Sequence, residues 1–168
     1  MLNTENYAKT IYRETINHEL ARLRQRDIFK SGVYLVDKHN LSQKTLRFLC
    51  DYFKTNLVKD TCFVSNSAHL QPDGFAEKGD VVLLKAAEND TGPWGGCQVW
   101  LHVEVPGLAP MTLVALYDFI AYNDALYTAT WDVKAAPVVV YTSDILCSTT
   151  YRKSNDGRAV TLIPIAHR

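Results

Sequence analysis

Between residues 97 and 105 the chain alternates without a break. Cys97, Val99, Leu101, Val103 and Val105 are apolar, while Gln98, Trp100, His102 and Glu104 lie between them. A period of two marks a half-buried β-strand, because successive side chains leave the backbone on opposite sides. This strand has a core side and a polar-aromatic side. Apolar runs at 81–84, 126–133 and 138–146 continue the series, and Ser154-Asn155-Asp156-Gly157 is a strong turn ahead of a last strand over 159–165.

The N-terminal third has a different rhythm. Tyr7, Ile11, Ile16, Leu20 and Leu23 recur at helical spacing with no glycine or proline among them. They predict an amphipathic helix from residue 4 to about 30, capped by Thr4 or Asn3 and stopped at Ser31-Gly32. A short strand over 33–36 and a polar turn over 37–40 follow. Ser42 is a good N-cap for a second helix, with Leu41 and Leu46 placed as a hydrophobic staple and Leu46, Leu49, Cys50, Phe53 and Leu57 as its buried stripe. Residues 62–64 read as another strand, and 65–78 and 87–96 as the longest loops. Over 112–122 helix and strand are evenly matched, since Leu113, Leu116, Tyr117 and Ile120 fit one helical face. The expected fold is α+β: two N-terminal helices packed on a curved, mainly antiparallel sheet or small β-barrel. One domain is expected across 1–168, helical to about residue 60 and mainly β from about 61.

The longest strictly apolar run, 135–141, contains a proline and is far short of the roughly 18 residues a membrane helix needs. The first residues show neither a basic nor an apolar leader region, and Cys50, Cys62, Cys97 and Cys147 form no close pair. Both features fit a cytoplasmic chain with reduced thiols. The formal net charge is zero, yet its distribution is uneven. Residues 61–151 carry ten acidic against three basic side chains, whereas both flanks are basic. That pattern suits a basic protein partner or self-association better than nucleic acid, which calls for one dominant basic face.

Phosphate-loop, dinucleotide, zinc-protease, serine-elbow and Cys-x-x-Cys motifs are all missing, so no cofactor and no metal is expected. His102 and Glu104, two residues apart, form a candidate acid-base pair beside Trp100. The segment 65–74 concentrates Ser, Asn, His, Gln and Asp, with His69 as a candidate base and Asp73 to orient it, although Pro72-Asp73-Gly74 is also ordinary turn chemistry. Cys97 follows two glycines, which makes it a candidate nucleophile, but sits on an apolar strand face. His18, Arg22 and Arg26 form a row on the first helix that would track phosphates or simply be solvated. Trp94, in the Gly/Pro-rich stretch after Asp90, is expected either at an exposed loop tip facing a partner or folded back over its own sheet.

The leading expectation is a non-catalytic interaction or assembly protein, homo-oligomeric, contacting its partner through Trp94, Asp90 and the acidic sheet region. Its general character is that of viral (phage) accessory, inhibitor or virion proteins, though no residue carries that attribution. The alternatives are a small hydrolase or lyase using His69/Asp73 or His102/Glu104, and a nucleic-acid-binding module using Arg22 and Arg26.

Overall fold

A computed structural model of the chain describes residues 32–88 and 92–168. Leu35–Arg168 forms one compact unit. The helix expected over 4–30, with His18, Arg22 and Arg26, lies outside the described residues, as does Asp90.

The α+β expectation with two helices is overturned. Of the described residues 51% are strand, and α1 (Gln43–Phe53) is the only α-helix among them. Its sequence signals operate as expected. Ser42 is extended, and its Oγ accepts the Thr45 amide at 3.2 Å. Leu41 and Leu46 share one buried cluster, and Lys54 ends the helix in the left-handed region at φ 55°.

Two sheets account for the strands. Strand β1 (Tyr34–Val36), β4 (Ser67–His69) and β5 (Phe75–Glu77) form a three-stranded sheet, so the expected loop over 65–78 is largely a hairpin. The larger sheet holds β2 (His39–Asn40), β3 (Phe63–Ser65), β6 (Val81–Lys85), β7 (Trp94–Glu104) and β8 (Met111–Asn123). It is completed by β9 (Thr128–Tyr141), β10 (Ile145–Thr149), β11 (Tyr151–Lys153) and β12 (Ala159–Leu162). Its main path is β10-β6-β7-β8-β9-β12-β11, with β3 joining β7 to β2, and every pairing is antiparallel. The end strands β10 and β11 are consecutive in the chain, linked through Thr150. No ladder joins them, so the sheet is not closed into the barrel that the sequence allowed.

Residues 112–122 form a strand, and helix and strand were evenly matched there because the first part of β8 is covered on both faces. Met111 to Ala115 are all buried, which erases alternation. The runs expected separately at 126–133 and 138–146 fall mostly within a single strand, β9, with a register irregularity opposite Ala115 to Tyr117. Pro137 is tolerated there because Val139, on the same edge, turns its N–H away from β8 to the Tyr52 hydroxyl at 3.3 Å.

Three clusters form the core. Leu46 and Leu49 of α1 pack with Val64, Val103, Met111 and Leu113. Val82, Cys97, Val99 and Val114 pack with Leu70 and Ala76 of the hairpin. Trp131, fully buried, centres the third with Val81, Leu83, Trp94, Tyr117 and Ile163. Its ring lies 3.1 Å from where a Cβ on Gly96 would stand, which explains a glycine inside a strand.

Candidate functional site

Strand β7 does not keep its alternation. Leu113 pairs with Leu101 and Val114 with Val99, so Trp100 is an extra residue, a β-bulge. The insertion switches faces. Cys97 and Val99 join the hairpin-side cluster, whereas Leu101, Val103 and Val105 pack with α1. His102 is therefore buried instead of solvated and separated from Trp100, contrary to the face the sequence assigned them.

His102 is held on both nitrogens. Nε2 lies 2.8 Å from the Ala76 carbonyl and Nδ1 2.9 Å from Thr112 Oγ1, which is 2.8 Å from Thr142 Oγ1. Both threonines are fully buried, and burial pushes the imidazole pKa below its ordinary value. No ring nitrogen is left for Glu104, whose carboxylate instead meets Lys38 Nζ at 2.9 and 3.1 Å. The expected acid-base pair is thus divided between a core network and a surface ion pair.

The second pair stays close but is not hydrogen-bonded. His69 Nε2 stands 3.8 Å from Asp73 Oδ1, beyond hydrogen-bond reach, and the His69 ring sits edge-on to Phe75 at 5.4 Å. Asp73 is 92% exposed and its Oδ1 accepts the Gly74 amide at 2.8 Å, which is turn chemistry. Cys97 is fully buried, and burial raises its thiol pKa far above the ordinary value, the reverse of an activated nucleophile. Among the described residues no group of three His, Cys, Asp or Glu side chains could hold a metal ion.

Trp94 is not at a loop tip. It opens β7, is 8% exposed, donates Nε1–H to the His167 carbonyl at 2.9 Å and packs on Tyr122 at 5.2 Å. Three carboxylates of the acidic middle segment are paired with cations. Glu104 pairs with Lys38, Asp132 with Arg158 and Asp118 with Lys134, two of these cations coming from the basic flanks.

The arrangement that remains is a cleft of about 670 Å³ between α1 and the bulged stretch of β7. Its apolar lining includes Phe48, Leu101, Leu113 and Pro137, and Trp100 beside them is 40% exposed. Lys44, Lys78 and Gln98 supply charge and polarity, and no carboxylate takes part. Sequence reasoning named Trp100 but missed the rest. The Lys44/Phe48 spacing of i, i+4 places both on one side of α1, yet nothing local shows which strands that side meets. Compared with known families, characterised proteins and solved structures, the chain matches none.

Proposed function

We propose that this chain is a non-catalytic protein-interaction protein that seats a protein partner in the Trp100 cleft. The observation that carries the reading is the half-exposed indole at a strand bulge, beside an open apolar cleft built on a helix and a sheet. Tryptophan is the side chain most enriched at energetic centres of interfaces, and a bulge re-aims a side chain without loosening its strand. The fold-internal partners of His102 and the engagement of Asp73 in its own turn weigh against a hydrolase or lyase at either pair. Four free thiols support a reducing compartment such as the cytoplasm.

The test uses N-phenyl-1-naphthylamine, a neutral dye that fluoresces in apolar sites. Wild-type chain is expected to enhance its emission saturably. Trp100→Ala is expected to lose most of that enhancement while its thermal unfolding stays close to wild type. Absence of enhancement, or equal enhancement by Trp100→Ala, overturns the reading.

A further inference from the structure

We infer that the segment received by this cleft is acidic, with an apolar or aromatic residue between its carboxylates. The inference rests on the cleft being the binding site, and it adds the chemistry of the partner.

Charge is the first argument. The cleft is lined by Lys44 and Lys78 and by no carboxylate. Among the described residues neither lysine forms an ion pair, whereas Lys38, Lys134 and Arg158 each meet a carboxylate. The two lysines at the cleft are thus open to an incoming anion. The helix adds to the field. Lys44 lies in the first turn of α1, which contains no acidic residue, so the positive end of the helix dipole faces no counter-charge of its own. A lysine is disfavoured at that position on stability grounds, where aspartate or glutamate would be the stabilising choice.

Shape and hydrogen bonding argue for a peptide in preference to a small amphiphile. Small-ligand sites bury most of the ligand in an enclosed cavity. This cleft is open, with Trp100 40% exposed. It can seat side chains projecting from a backbone that itself stays outside. Gln98 donates its side-chain N–H to the Gly79 carbonyl at 3.0 Å, which directs the carboxamide and leaves its oxygen to accept a peptide N–H. The apolar floor at Phe48, Leu101 and Leu113 takes the central residue, with the Trp100 ring as its wall.

The experiment is selection of a random nine-residue peptide library, displayed on phage, against the immobilised full chain after depletion on Trp100→Ala. The recovered peptides are expected to be enriched in aspartate and glutamate around an apolar or aromatic residue. A selected peptide should bind the double variant Lys44→Glu/Lys78→Glu about tenfold or more weakly, and added salt should weaken its wild-type binding. Basic or charge-neutral selected peptides, or binding indifferent to the charge reversal, overturn the inference while leaving dye binding at the cleft intact. No enrichment over Trp100→Ala also overturns it. If the chain instead forms a dimer that Trp100→Ala dissolves, or takes up dodecanoate at the cleft but no peptide, the occupant is a second copy or a small amphiphile and the inference fails. Loss of dye binding as well would bring down the proposed function with it.

Discussion

Replacing His102 with leucine takes a hydrogen-bond partner from two buried polar groups at once. The Ala76 carbonyl can only accept, so the proton is on Nε2, 2.8 Å away. Nδ1 must then accept from the Thr112 hydroxyl at 2.9 Å, and Thr112 in turn accepts from Thr142 at 2.8 Å. The whole chain of hydrogen bonds has one direction, and it ties the β5 hairpin to β7, β8 and the turn after β9. Leucine fills most of the volume but offers Ala76 no donor and Thr112 no acceptor. A buried polar group left without its partner costs about 1–3 kcal/mol, so the expected loss is about 2–4 kcal/mol by urea unfolding. Adding Thr112→Val removes one of the stranded groups, and the double variant should lose less than the two single losses together. The pH dependence carries a sign as well. Desolvation lowers the pKa of His102 in the folded chain, partly opposed by the Ala76 hydrogen bond and the charge of Asp80. Below the ordinary imidazole value of about 6.5 the unfolded chain binds a proton that the folded chain resists. Stability therefore falls as pH drops from that value towards the lowered one, by at most about 1.4 kcal/mol per pH unit, and the effect vanishes above it. His102→Leu lacks this proton uptake, so the gap between wild type and variant should narrow from about pH 7.5 to about pH 5.5. A loss under about 0.5 kcal/mol, within the range of ordinary surface substitutions, or a gap that stays constant with pH would refute the network.

Trp94→Ala should destabilise by about 3–5 kcal/mol in a thermal or denaturant melt, because the ring is 8% exposed and hydrogen-bonded to His167. An unchanged melt would restore the exposed-loop expectation. Gly96→Ala brings a methyl to 3.1 Å from a Trp131 ring that is fully buried and tied to Thr161 at 2.9 Å. The ring has nowhere to move, so overpacking should cost about 1–3 kcal/mol and alter the near-ultraviolet circular dichroism, whereas a gain in stability would contradict that packing.

The features legible in the chain were those decided within a few residues. Ser42, Leu41 and Leu46 announced the start of α1, and the strand at 81–84 was readable from its apolar run, because caps, staples and strand propensity act locally. Gly157, at φ 84°, likewise marks the turn before β12. One misreading and two readings left open share one cause. Residues 112–122 fitted helix and strand equally because the first part of β8 is buried on both faces, 65–78 resembled a loop because its strands are three residues long, and Trp94 could be placed at a loop tip or over its own sheet because its cover arrives from residues 122 and 167. In each case the deciding partner is distant in sequence.

The candidate site shows the same division. The amino-acid order determined that 97–105 would be a strand, that its tryptophan and histidine would interrupt an apolar series, and that acidic and basic side chains would be segregated along the chain. The tertiary structure decided that Trp100 would be the bulged residue, putting Trp100 in a cleft and His102 in the core. It also decided that Lys38 and Arg158 would meet Glu104 and Asp132, and that Lys44 and Lys78 would line a cleft that holds no carboxylate. A bulge exists only relative to a partner strand, and an ion pair only between groups brought together. Both depend on register and long-range packing, which no local window of residues contains.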